Sequence, residues 1–160
     1  MTSTKAPTVQ SHIQRTGDAI VRFILRFILR SPLHPLLSKK LLLITVSGRK
    51  TGREYANPVG YAEHEGHILI GTAANWRHNL IPGVPVRILL RGNNIQAAHE
   101  VITDAPRAAT LYREILTQNP THGRFAKIHL APDGTVNLPS LRAALSRGTA
   151  VVRLHPCDGP

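Results

Sequence analysis

The chain has 160 residues, of which 42% are hydrophobic, and it carries a formal net charge of +11. This length fits one domain with a buried core, and the charge favours an anionic partner such as nucleic acid, a lipid surface or a phosphorylated small molecule. Aromatic residues make up only 4%. A barrel that binds nucleic acid needs exposed rings for base stacking, so we expect no nucleic-acid partner. The single cysteine, Cys157, excludes an intrachain disulfide and fits a reducing compartment.

Residues 19–31 predict an amphipathic helix. Apolar side chains cover most of its surface, and one narrow stripe is polar, formed by Arg15, Asp18, Arg22, Arg26 and Arg30. The segment is too short and too charged to span a bilayer, and it lacks the layout of a signal peptide. Such a helix binds an anionic lipid interface or packs on the domain with its arginines in solvent, and both interpretations stay open. We therefore expect a cytoplasmic protein, either free or peripheral at the inner face of the cell membrane.

From Leu41 the pattern changes to that of β-strands. "LLLITVS" (41–47) predicts a strand that is buried on both sides. "EYANPVGYAEH" (54–64) and "HILIGTA" (67–73) flank Glu65-Gly66, a favoured two-residue hairpin turn. "VPVRILLRG" and "IQAAHEVITD" flank a second hairpin turn at Gly92-Asn93-Asn94, and "TAVVRLHP" (149–156) is a closing strand.

Two helices follow the second hairpin. "PRAATLYREILTQN" (106–119) begins after Asp104 with Pro106 in its first turn, and "SLRAALSR" (140–147) is shorter. Six strands in antiparallel hairpins with few helices predict a mainly β (α+β) fold, a small β-barrel with helices outside. We expect residues 1–40 to form a tail and helix, 41–156 the barrel and 157–160 a second tail. Residues 119–148 exceed the length that a simple connection needs and form either a substrate lid or a surface insertion.

The stretch "GRKTGR" (48–53) places three cations and two glycines in one turn. Glycine lets backbone N–H groups approach an anion, and Arg49, Lys50 and Arg53 supply positive charge. It is not a nucleotide-binding P-loop, because Arg49 stands before Lys50 and a strand, not a helix, follows. By itself such a turn is usually a solvated hairpin loop.

Three motifs in order resemble the deazaflavin-dependent nitroreductase family, which uses coenzyme F-420 on a split β-barrel. They are the turn at 48–52, the dipeptide Asn57-Pro58, and Trp76-x-x-Asn79-Leu80 after the third strand. The resemblance covers roughly residues 41–103, and "TAVVRLHP" is similar to the closing strand of the family. With its hydrophobic N-terminal helix, the chain looks like a divergent, membrane-associated branch. The resemblance implies a flavin-binding split β-barrel with peripheral helices.

The resemblance also implies where the coenzyme lies. Its phosphate and acidic tail would contact the basic turn, formed by Arg49, Lys50, Thr51 and Arg53. Its ring would lie along Asn57, Pro58 and Val59. Small residues would let it approach the backbone at the end of the third strand, at Gly71, Thr72, Ala73 and Ala74. Trp76 and Asn79 would close the pocket.

The implied reaction is hydride transfer from reduced coenzyme F-420 to a quinone, a nitroaromatic compound or an unsaturated lipid-like acceptor. Tyr61 and His78 are the nearest proton donors by motif position, although Tyr61 also fits an ordinary barrel residue. Flavin mononucleotide (FMN) is the alternative cofactor, and a non-catalytic deazaflavin-binding protein is the alternative function. No metal site is predicted, because His64 and His67 have no third ligand at a recognisable spacing. A monomer and a homodimer are both open.

Overall fold

Strands dominate the fold, as the sequence predicts. The computed structural model describes residues 40–157, and within them seven strands form one antiparallel sheet. The strands are β1 (Leu41–Ser47), β2 (Glu54–Gly60), β3 (Ala62–His64), β4 (His67–Thr72), β5 (Val86–Leu90), β6 (Asn93–Ile102) and β7 (Ala150–Pro156). The helices are α1 (Ala105–Gln118), α2 (Pro120–Ala126) and α3 (Leu138–Ser146), with a short 3-10 helix at Asn75–Asn79. The amphipathic helix predicted at 19–31 lies outside the described residues.

The sheet curls into a half-barrel. Its strand order is β2-β1-β5-β6-β7-β4-β3. β2 and β3 therefore lie at opposite ends of the order, yet only Tyr61 separates them in the chain. The two ends of the sheet must approach each other, and β2 does contact β4. The expected mainly β split barrel is confirmed.

Side chains alternate between the two faces of the sheet, and each face carries its own hydrophobic core. Ile68 and Ile70 of β4 point to the inside of the curl, whereas Leu69 points outward, because successive strand residues face opposite sides. The inner core packs strand residues against one another and against Trp76. The outer core packs the other side of the sheet against the three helices, through residues such as Tyr112 and Leu141.

The turns agree with the sequence in one hairpin and differ in the other. Glu65 and Gly66 have φ of 49° and 75°, the left-handed pair that a two-residue turn between twisted strands requires. The second turn is Arg91-Gly92, with φ of 50° and 85°, and not Gly92-Asn93-Asn94 as predicted. Arg91 adopts the left-handed conformation, so both asparagines join β6. The sheet has seven strands because the predicted strand 54–64 is interrupted at Tyr61.

Helix caps explain where the helices begin. The Asp104 carboxylate accepts a hydrogen bond from the Arg107 N–H at 3.0 Å, so α1 starts directly after Asp104 as predicted. Asn137 caps α3 in the same way through the Ser140 N–H at 2.9 Å. The sequence did not predict α2, which is followed by Lys127 as its C-terminal cap in the left-handed conformation (φ 57°). No helix within residues 40–157 has the length and apolar character needed to cross a membrane.

Candidate cofactor-binding cleft

An open cleft of about 980 Å³ lies at one end of the half-barrel. Three segments form its walls: the turn between β1 and β2, the first half of β2, and the 3-10 helix. The lining residues are Gly48, Arg49, Lys50, Thr51, Tyr55, Asn57, Asn75, Trp76, His78 and Asn79. The cleft thus joins the three sequence motifs, which are separated along the chain.

The basic turn satisfies its own backbone and leaves two cations free. The Gly48 N–H donates to the Arg53 carbonyl at 2.8 Å, and the Gly52 N–H donates to the Gly48 carbonyl at 2.7 Å. Arg49 and Lys50 are exposed, and neither makes a hydrogen bond or an ion pair with any described residue. Two adjacent unpaired cations repel each other, and an anion in the cleft relieves that repulsion.

Arg53 lies to the side of the cleft. Its guanidinium carbon is 6.0 Å from the centre of the Tyr55 ring, within the range of a cation–π contact. Tyr55 itself lines the cleft and is 42% exposed. A Cβ atom at Gly48 would lie 3.0 Å from the Tyr55 ring, which is tighter than an ordinary contact. The absence of a side chain at Gly48 therefore lets the Tyr55 ring pack against the turn.

Sequence reasoning missed Tyr55, although a signal for it existed. Tyr55 and Asn57 are two residues apart on β2 and therefore share a face of the sheet. The Asn57 side chain donates a hydrogen bond to the Tyr55 carbonyl at 3.2 Å, which fixes the amide beside the ring. Asn75 was also missed, and it enters the cleft because it begins the 3-10 helix.

The 3-10 helix supplies the opposite wall. Trp76 is only 8% exposed and belongs to the inner core, yet it also contacts the cleft. His78 is exposed at the cleft, and Asn79 is half-buried there. One aromatic ring, one imidazole and one amide thus line the same cleft as the basic turn.

The remaining predicted residues lie outside the lining. Pro58 is exposed, and Val59 packs against the inner core. Thr72 accepts a hydrogen bond from the Ala74 N–H at 3.0 Å, so Thr72, Ala73 and Ala74 form the connection into the 3-10 helix. Tyr61 is 6% exposed and lies within the inner core, a position that fits the barrel-residue interpretation.

Gly71 faces the outer core and not the cleft. A Cβ atom there would lie 2.6 Å from both the Tyr112 hydroxyl and His122 Nε2. The Tyr112 and His122 rings stack with their centres 5.8 Å apart. Their polar atoms, Oη and Nε2, are buried without a hydrogen-bond partner. Two side chains of the helical layer thus fill the space beside Gly71, where the resemblance implied room for the coenzyme.

Burial of His122 makes stability depend on pH. Burial lowers the pKa of His122 from its ordinary value of 6.5. Below that value the unfolded chain takes up a proton before the native chain does, so the free energy of unfolding falls as the solution becomes more acidic. We expect His122→Gln to flatten this fall between about pH 7 and about pH 5, measured by urea denaturation.

The matched control for this prediction is His129→Gln, since His129 is exposed. It is expected to keep the wild-type pH dependence. His155, whose pKa is lowered by burial and by its neighbour His67, contributes to the slope in every variant. An unchanged slope in His122→Gln contradicts the role assigned to His122.

The H-x-x-H pair serves the fold. His64 Nδ1 lies 3.7 Å from the Glu114 carboxylate on α1, and the His67 ring meets the His155 ring edge-on at 4.2 Å. In the part of the chain that the structure describes, no group of three or more His, Cys, Asp or Glu side chains is arranged to hold a metal ion.

Fold and cleft together define the class of protein. A curled antiparallel half-barrel with helices on its outer face is a split β-barrel, and its open cleft brings a cationic turn and an aromatic side chain together. A model of the F420H(2)-dependent quinone reductase family matches residues 31–128. The chain belongs to this family and is an F-420-dependent oxidoreductase, which confirms the resemblance drawn from the three motifs.

Solved structures share the fold at low sequence identity. A domain-swapped dimer is 12% identical with a TM-score of 0.52, the match covering 87% of this chain and 98% of that one. An F420-H2 dependent reductase (FDR-A) is 13% identical with a TM-score of 0.50, covering 72% and 94%. A conserved hypothetical protein from Mycobacterium tuberculosis is 14% identical with a TM-score of 0.53, covering 74% and 73%. No curated protein matches the sequence.

Proposed function

We propose that the chain holds coenzyme F-420 in the cleft and transfers a hydride from its reduced form to a quinone. The observation that supports this most directly is that two unpaired cations, Arg49 and Lys50, line the same cleft as Trp76. The volume of the cleft, about 980 Å³, is large enough for a flavin-like ring with an anionic tail. Small-molecule sites usually span roughly 300–1,000 Å³.

Each wall of the cleft has a role in this proposal. Arg49 and Lys50 bind the phosphate and acidic tail, since a guanidinium and an ammonium both form charge-assisted hydrogen bonds to such oxygens. Trp76 gives the ring a flat apolar surface. Asn57 and Asn79 line the cleft with amides that both donate and accept, and these would bond to polar atoms of the ring. Arg53 acts on the turn through Tyr55 and not by direct contact.

In this proposal the protein positions the coenzyme and the quinone and supplies the proton that the quinone takes up. The reduced coenzyme supplies the hydride from its own ring carbon. The quinone gains this hydride and one proton and becomes the hydroquinone. We assign the proton transfer to His78, because it lines the cleft and is exposed to solvent. The walls hold donor and acceptor in contact and keep water from between them.

The sequence of the N-terminal segment, which lies outside the described residues, supports a lipid-soluble acceptor. The sequence of residues 19–31 predicts a helix with a wide apolar face and a stripe of arginines, a pattern suited to an anionic membrane surface. In this proposal the protein is cytoplasmic and visits the inner face of the membrane, where quinones are dissolved. Nitroaromatic compounds and unsaturated lipids are the further acceptors that the same chemistry serves.

The test is a parallel titration of the purified chain with oxidised coenzyme F-420 and with FMN, followed by anaerobic turnover. We expect tight binding of F-420 and weak binding of FMN. When a quinone is added to the protein with reduced coenzyme F-420, we expect the absorbance of oxidised F-420 to reappear as the quinone is reduced to the hydroquinone. Preference for FMN would change the cofactor and keep the fold. Binding without turnover of any acceptor would favour a non-catalytic deazaflavin-binding protein.

A further inference from the structure

The 3-10 helix that forms one wall of the cleft is short, and the backbone hydrogen bonds that join it to the residues on either side are long. It has only five residues, and Ala74 at its N-terminus provides no side-chain cap. Its Arg77 N–H donates to the Ala74 carbonyl at 3.4 Å, and the Leu80 N–H donates to the Arg77 carbonyl at 3.2 Å. Both bonds are longer than the usual distance of about 2.9–3.0 Å. The position of this wall therefore depends on contacts with the rest of the fold.

Arg77 makes such a contact. Its Nη2 donates to the Gly148 carbonyl at 2.8 Å, across 71 positions of the chain. The guanidinium is half-buried, and its Nε is buried without a partner. A half-buried guanidinium with a single hydrogen bond depends on that bond, because burial has removed part of its contact with water. The Arg77 side chain is thus fixed to the turn that contains Gly148.

The turn that accepts the Arg77 hydrogen bond is itself held by backbone hydrogen bonds. Gly148 lies between α3 and β7 with φ of 97°, a conformation that favours glycine. Its N–H donates to the Leu145 carbonyl at 3.0 Å, and the Thr149 N–H donates to the Ala144 carbonyl at 3.0 Å. α3 itself is anchored in the outer core by Leu141 and Ala144. The carbonyl end of a helix also carries partial negative charge, which favours a guanidinium there.

We propose that Arg77 is a positioning residue that holds the cleft wall against this turn. Arg77 does not itself line the cleft, but its neighbours Trp76, His78 and Asn79 all do. The segment 119–148 then acts as a brace for the cleft through its last residue, and not as a lid, since none of its residues lines the opening. The part of this inference that concerns coenzyme affinity rests on the proposed function.

The test uses Trp76 as a reporter, because it is the single tryptophan of the chain. Acrylamide quenching of its fluorescence reports the position of the wall without any cofactor. In Arg77→Met we expect quenching to increase by about two-fold and the Kd for coenzyme F-420 to rise by about ten-fold, the size of one lost charged hydrogen bond. Arg77→Lys keeps a hydrogen-bond donor, so its quenching and its Kd are expected to lie between those of Arg77→Met and those of the wild type.

The control is Arg147→Met. Arg147 is exposed on the same turn and donates to the Ala126 carbonyl at 3.3 Å, away from the cleft. It is expected to leave both quenching and Kd unchanged. Wild-type quenching in Arg77→Met overturns the inference, whatever happens to coenzyme binding. If Arg77→Met does not fold, Arg77→Gln answers the same question, since its side chain is too short for the Gly148 carbonyl, and wild-type quenching there overturns the inference equally.

The two proposals fail in different ways. Increased quenching in Arg77→Met, together with a wild-type chain that binds no coenzyme F-420, keeps Arg77 as the residue that positions the wall and rejects the cofactor assignment of the cleft. Wild-type quenching in Arg77→Met, together with tight coenzyme binding by the wild-type chain, rejects the positioning role of Arg77 and keeps the cofactor assignment of the cleft.

Discussion

Replacing Gly71 with alanine is expected to lower the free energy of unfolding by about 3 kcal/mol, the upper part of the range for overpacking a core. The added methyl group would lie 2.6 Å from both Tyr112 Oη and His122 Nε2, and 2.9 Å from Tyr112 Cζ. Both neighbours are rings, and Tyr112 is fully buried, so neither can withdraw by rotating a flexible chain. Urea denaturation of the cofactor-free protein measures the effect.

Gly60→Ala is the matched control, at a strand glycine on β2. A Cβ atom there would have its nearest contact at 3.5 Å, on the Asn119 amide, which is an ordinary distance. We expect a change within about 1 kcal/mol, because Gly60 is in a strand and alanine adopts that backbone without strain. A stable Gly71→Ala variant that has lost coenzyme binding would contradict the packing role and restore the contact implied by the family resemblance.

A second substitution separates the two clashes at Gly71. Tyr112→Phe removes the hydroxyl, which is buried without a partner, so this change alone is expected to be neutral or stabilising. Combined with Gly71→Ala it removes one of the two closest contacts and is expected to restore part of the lost stability. Full additivity of the two changes would show that the alanine and the hydroxyl do not meet.

Much of the fold follows from local chemistry. The apolar run of β1, the Glu65-Gly66 turn and the Asp104 cap each depend on neighbouring residues, and the sequence predicts all three. The second hairpin was misplaced because Arg91 adopts φ of 50°, which the sequence favours less than glycine or asparagine. α2 was missed since it has only seven residues and contains a glycine.

The candidate site follows from sequence only where a motif marks it. Arg49, Lys50 and Trp76 stand in motifs and line the cleft. The direction in which Gly71 faces depends on the strand alternation and on α1 and α2, whose packing no local pattern reveals. Arg77 stands inside a motif, but its role depends on a carbonyl 71 positions away. Contacts of that range are set by the curl of the sheet and not by neighbouring residues.

Replacing Arg49 and Lys50 together with alanine is expected to weaken coenzyme F-420 binding by about 100-fold, since each cation contributes roughly one charged hydrogen bond. Neither side chain has a partner among the described residues, so the folded protein loses no contact and its stability is expected to stay the same. The affinity of the wild type is expected to fall with added salt, and the double variant to lose most of this dependence. Fluorescence titration at several salt concentrations measures both effects.

The control must remove the same charge elsewhere. Arg124 on α2 and Arg142 on α3 are exposed and make no hydrogen bond or ion pair with the described residues, so their double alanine variant lowers the net charge by the same amount. It is expected to bind coenzyme F-420 within about two-fold of the wild type, because distant exposed charges are screened. If both double variants weaken binding equally, the coenzyme responds to the overall positive field of the protein. If only the first does, the anion lies at the basic turn, because only local contact can tell one pair of cations from the other.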